Sequence, residues 1–209
     1  MIPANYSGED LAGKAVCKRE LLKEFGLPDS GQPLIGIVSR FAWQKGPDLI
    51  GAIGTRLFER NLTMVVLGSG ERRYEEMFLS LAARFPDRLA VRLGFDEALA
   101  HRIEAGSDMF LMPSRFEPGG LNQIYSLRYG TVPIVRATGG LDESVDGETG
   151  FKFWGYDPES LLACVDYALA AYLKKDGWQK MAETGMSRDF SWEASARQYG
   201  ILYSKLLSK

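Results

Sequence analysis

Cysteine and histidine are nearly missing from this chain, with two cysteines and one histidine among 209 residues. Cys17 and Cys164 lie in helix-patterned segments without metal-ligand spacing, and His101 stands alone. No Cys/His cluster can hold zinc, no metal site is expected, and both thiols are read as buried or free. Long apolar runs are lacking too. The longest, LLACVDYALAAYL, is interrupted by Asp166 and falls short of the roughly 20 residues that a bilayer span needs. With the polar start MIPANYSGED, this predicts a soluble, cytoplasmic protein that does not engage a membrane. Basic blocks are absent, and the formal net charge is −2, which argues against a nucleic-acid surface. No GxxxxGK[ST] stretch is found, so a P-loop ATPase or kinase is excluded. Neither internal repeats nor low-complexity linkers divide the chain.

What remains is a chain with 45% apolar content, enough for the core of one α/β domain spanning residues 1–209. Short apolar runs alternate with helical patterns. The runs are Pro33–Ser39, Leu62–Leu67, Leu89–Leu93, Met109–Pro113 and Thr131–Val135, with a weaker sixth at Phe151–Phe153. A surface helix over Asp10–Phe25 precedes them, and helices over Leu161–Leu173, Trp178–Met186 and Trp192–Leu207, separated by DG and SRDFS, follow. The alternation predicts a doubly wound parallel sheet with helices on both faces and extra C-terminal helices.

In such a sheet ligands bind where the strands end at their carboxyl edge. Each run here leads into a loop of unusual residues: Arg40 and Lys45; Gly68 and Gly70; Phe95 and Asp96; Glu117 with Gly119 and Gly120; Thr138, Gly139 and Gly140. Arg40 and Lys45, five residues apart in a loop closed by Gly46, suit a pyrophosphate. Glu117 precedes two glycines and the start of a helix whose apolar positions are Leu121, Ile124 and Leu127. The first free N–H groups of that helix, near Leu121 and Asn122, attract an anion. A carboxylate beside an anion site fits a ligand with hydroxyls at one end and phosphate at the other. GSGE at Gly68–Glu71 lacks the third glycine of a dinucleotide fingerprint and is read as a tight strand-to-helix turn. Phe95 fits base stacking and loop packing equally well. His101 is read as a structural hydrogen bonder, and Trp43, Trp154, Trp178 and Trp192 as packing residues.

Four stretches, SRFAWQKGPDL, GFDEALAHRI, SRFEPGGLNQIYSLRYG and TVPIVRATGGLDESV, occur in an order that resembles the C-terminal, nucleotide-sugar-binding half of glycogen and starch synthases. These are retaining glycosyltransferases of the GT-B fold. The resemblance runs from about Asp10 to Leu207. It implies that Arg40 and Lys45 bind the pyrophosphate of ADP-glucose or UDP-glucose and that Glu117 contacts the transferred glucose. It further implies that amides around Gly119, Gly120, Leu121 and Asn122 hold the distal phosphate or sugar, that Thr138, Gly139 and Gly140 line the pocket, and that Phe95 lies beside the base. No cofactor is implied. Many retaining transferases of this fold carry a second glutamate where this chain has Tyr125, so the ribose contacts differ here. The family's enzymes consist of two such domains, so this half is expected to be inactive alone and to reach its glucan acceptor through an N-terminal domain. Apolar positions on the last helix are left for that half or for a second copy in a homo-oligomer. Two other readings stay open: half of a GT-B phosphorylase or sugar-nucleotide epimerase, and a non-catalytic flavodoxin-like module.

Overall fold

A computed structural model describes residues 2–207. Six strands, β1 (Leu34–Phe41), β2 (Thr63–Gly70), β3 (Leu89–Leu93), β4 (Met109–Met112), β5 (Val132–Arg136) and β6 (Phe151–Phe153), form one parallel sheet in the order β3-β2-β1-β4-β5-β6. The order reverses between β1 and β4. There the connections diverge and leave a crevice at the carboxyl edge.

Alternation along the strands decides which helix lies on which face. Ile35 and Ile37 of β1 and Met64 and Val66 of β2 pack with α2 (Pro47–Leu57), α3 (Arg72–Arg84) and α7 (Pro158–Tyr172). Leu34, Val65 and Leu67 point the other way, toward α1 (Ala12–Phe25) and α4 (Glu97–Gly106). Both faces are apolar, as a doubly covered parallel sheet requires. The predicted sheet and its runs are found, with β1 and β2 each longer by a few residues at the carboxyl end. Pro47 opens α2 at its first turn, and Gly26, in the left-handed region at φ 70°, closes α1.

Several local expectations are corrected. GSGE is not a turn, because Gly68, Ser69 and Gly70 continue β2 alongside Ser39, Arg40 and Phe41, and α3 starts two residues later. A short helix absent from the sequence reading, α6 (Gly139–Ser144), begins inside the TGG stretch. Asp176 and Gly177 do not separate helices: α7 ends at Tyr172, and both residues sit in the first turn of α8 (Lys175–Ser187), where a carboxylate favours the helix start. Of the four tryptophans only Trp178 packs inside, stacked on Phe151 at 6.2 Å. Trp43, Trp154 and Trp192 are exposed, because loop and terminal positions lie beyond the reach of the core. The last helix, α9 (Trp192–Leu207), buries no residue. No helix among the described residues is long and apolar enough to cross a membrane. Cys17 and Cys164 are buried and free.

Candidate functional site

The loop after β1 forms one short turn, Trp43–Lys45, that ends on Gly46 at φ 74°. A Cβ on Gly46 would stand 2.1 Å from the carbonyl oxygen of Pro113. Only glycine allows this turn to lie against the end of β4, and the contact brings Lys45 to Glu117. Their side chains form a short ion pair, Nζ to Oε2, with 21% and 7% of the two side chains exposed. Ser114 Oγ donates to the same oxygen at 3.3 Å. Arg40, at the end of β1, is exposed and has no hydrogen-bonding or ionic partner for its guanidinium among the described residues.

Glu117 is held from behind by the TGG stretch. The amide of Gly140 donates to the Glu117 carbonyl at 3.0 Å. A Cβ on Gly139, at φ 48°, would fall 2.2 Å from that carbonyl oxygen. Two backbones therefore lie in direct contact, and the two glycines position the carboxylate loop. This corrects the expected pocket lining by Thr138, Gly139 and Gly140, none of which borders the cavity described next.

At the crevice between β1 and β4 lies a cavity of about 660 Å³, a volume typical of small-ligand sites. Arg40, Lys45, Gly68, Phe95, Glu117, Gly120, Leu121, Asn122 and Tyr125 all border it. Gly119 is exposed outside this lining, and no side-chain atom lies within 4 Å of where its Cβ would be. Phe95 projects with 90% of its surface exposed. The helix behind the glycines, α5 (Asn122–Arg128), differs from the reading of its apolar face. Leu121 is 58% exposed toward the ligand side, while Gln123 and Ser126 are buried. Gln123 Nε2 donates to the Gly120 carbonyl at 3.0 Å and Ser126 Oγ to the Asn122 carbonyl at 2.7 Å, while Gln123 Oε1 is buried without a hydrogen-bond partner among the described residues. Asn122 Nδ2 donates to the Val38 carbonyl at 3.0 Å, which ties the helix start to β1 across the crevice.

Two residues given no ligand role by their sequence context also border the cavity, His101 and Glu104 on α4. Their spacing, one helical turn, is the signal that was available. Glu104 is 2% exposed, and burial raises its carboxyl from the ordinary 4.5 to about 8. Next to it lie His101 on the same helix and Tyr129 just after α5, and Lys14 reaches the neighbouring backbone from α1. Lys14 donates to the carbonyls of Ala105 and Tyr129 and to Thr131 Oγ1, and burial lowers its amine to about 7.

A raised carboxyl has a fixed sign for stability. The folded chain keeps the Glu104 proton that the unfolded chain releases above the ordinary value, so this contribution is complete at low pH and drains away as pH rises toward about 8. Glu104→Gln is expected to flatten that decline. Relative to wild type, the variant gains stability of order 3 kcal/mol between pH 4.5 and 7, read from chemical denaturation at a series of pH values. Parallel pH curves for the two proteins contradict it.

Among the described residues no group of three His, Cys, Asp or Glu side chains is placed to hold a metal ion. Comparison with known proteins gives a consistent picture. The profile of the family described as "Glycosyl transferases group 1" matches residues 18–184. A glycogen synthase from Koribacter versatilis is 54% identical over 98% of this chain and 44% of its own length. One from Myxococcus xanthus is 49% identical over 100% of this chain and 44% of its own length. The chain thus spans less than half the length of these curated relatives. Among solved structures, the catalytic domain of Starch Synthase IV from Arabidopsis thaliana, bound to ADP and acarbose, superposes with a TM-score of 0.88 at 36% identity, covering 100% of this chain and 45% of that one.

Proposed function

Since the chain belongs to the group 1 glycosyl transferases, we propose that it is the donor half of a glycogen synthase. It binds nucleoside-diphosphate glucose, as ADP-glucose or UDP-glucose, for retaining transfer of glucose to the non-reducing end of an α-1,4-glucan. The observation that carries the reading is the meeting of Arg40, Lys45 and Glu117 on one cavity at the β1/β4 crevice. The diphosphate lies against the two cations, which neutralise the charge that grows as the glycosidic bond to phosphate breaks. Glu117, held by Lys45 and Ser114, accepts hydrogen bonds from the hydroxyls of the transferred glucose. Amides around Gly120, Leu121 and Asn122 face the distal phosphate or the sugar. ADP in a relative of 36% identity supports a nucleotide in this place.

The two cations are expected to differ on substitution. Arg40→Ala weakens nucleoside-diphosphate binding by about tenfold to a hundredfold and leaves stability unchanged, since its side chain has no partner among the described residues. Lys45→Ala gives a similar loss of binding and costs about 1 to 2 kcal/mol of stability, because it leaves the buried Glu117 carboxylate unpaired. Calorimetric titration with ADP and UDP, together with thermal melts, reads both effects. Wild-type diphosphate binding by both variants removes this loop from the site.

A further inference from the structure

The α4 wall of the cavity carries a group that this reading leaves without a task. His101 borders the cavity with its side chain 37% exposed. Its Nδ1 lies 3.3 Å from the Tyr129 hydroxyl and 3.5 Å from Glu104 Oε2. That carboxyl oxygen is buried and makes no hydrogen bond among the described residues, although Glu104 itself borders the cavity. Leaving a buried polar atom unsatisfied is costly, so its retention beside a ligand cavity calls for a role. With its carboxyl raised by burial to about 8, Glu104 holds a proton near neutral pH and can offer it to Nδ1. An imidazole whose Nδ1 accepts carries its own proton on Nε2. With Nδ1 flanked by two protein groups, Nε2 is the nitrogen left for the cavity.

The chemistry of the lining says which part of a nucleotide meets it. Phe95 presents a nearly fully exposed ring just before α4, a face for a base. Arg40 and Lys45 present charge to a diphosphate. A ribose links base to diphosphate, and His101 lies one helical turn into α4, facing Tyr125 of α5 with ring centroids 5.9 Å apart. We propose that His101 is a ribose-binding residue, its Nε2–H donating to a ribose hydroxyl of the donor nucleotide, and that Glu104 is a positioning residue that holds the imidazole in that tautomer. This rests on the nucleotide-donor reading of the same cavity.

The test compares ADP with 2′,3′-dideoxy-ADP, and the corresponding UDP pair, by calorimetric titration of the 209-residue chain. Wild type is expected to prefer the hydroxylated nucleotide by about tenfold. His101→Ala brings the ratio near one by weakening only the hydroxylated ligand, and His101→Gln, which retains a donor, keeps part of the preference. Glu104→Met abolishes most of the preference and Glu104→Gln, able to donate to Nδ1, retains it. A purely structural role would lower both affinities together and leave the ratio unchanged. An unchanged ratio in His101→Ala overturns the ribose contact, and an unchanged ratio in Glu104→Met overturns the positioning role. Equal binding of both nucleotides by wild type overturns the proposal as well. If wild type binds no nucleotide at all, the donor reading falls with it. Binding that Arg40→Ala weakens, combined with a ratio insensitive to His101, sinks this inference alone.

Discussion

Glu117→Ala, placed in an enzyme that contains both halves, is expected to reduce glucosyl transfer by about a hundredfold to ten-thousandfold while the protein stays folded. Its carboxylate is 6% exposed, paired with Lys45 and reached by Ser114. Removing it deletes a preorganised acceptor from a cavity that the second half is expected to close against water, where such groups act most strongly. The cost to folding is smaller, about 1 to 2 kcal/mol, because the lysine left behind is partly exposed and can turn to solvent. The loop keeps its shape through contacts that do not involve the side chain, among them the Gly140 amide on the Glu117 carbonyl. Glu117→Gln preserves volume and one acceptor, so it should fall between the two. Turnover of the Ala variant near wild type would show that Glu117 only braces Lys45, and an unfolded variant would show that the pair is structural.

The second large effect concerns the chain by itself. It is expected to bind donor nucleotide weakly and to transfer no glucose to glycogen. A glycosyl transition state needs a cleft closed against water, and the loops at one sheet edge supply one wall of it. The curated relatives are more than twice as long as the part matched here, and we propose that the opposing wall and the acceptor site lie in the remainder. The last helix bears on this. Tyr199, Leu202 and Leu206 of α9 are half or more exposed, a larger apolar face than an isolated surface helix usually shows. The remainder of such an enzyme, added in trans or by fusion, should restore transfer from labelled donor. Transfer by the 209-residue chain above a Glu117→Ala control would overturn the half-enzyme proposal.

The sequence by itself determined the architecture. Apolar runs of strand length separated by helical periods leave few arrangements besides a doubly covered parallel sheet, and such a sheet brings its loops to one edge whatever their contents. The pairing of a cationic loop with a carboxylate loop was legible for the same reason: Arg40, Lys45 and Glu117 each follow a strand. Side-chain direction and distance were not legible, because they depend on contacts between segments far apart in the chain. Whether Lys45 meets Glu117 turns on the Gly46 turn fitting against Pro113, and no local pattern reports that fit. Thr138, Gly139 and Gly140 looked like lining because they follow a strand at the same edge, yet Gly139 and Gly140 lie against the backbone of Glu117 and Gly119 instead. Leu121 looked like core from its spacing, yet it borders the cavity, while Gln123 and Ser126, each donating to a backbone carbonyl of its own loop or helix, are buried in its place. The largest gap was His101 with Glu104. A lone histidine carries no pattern, and a glutamate's carboxyl is pushed up only when the packing of the chain around it removes the water that would keep it charged.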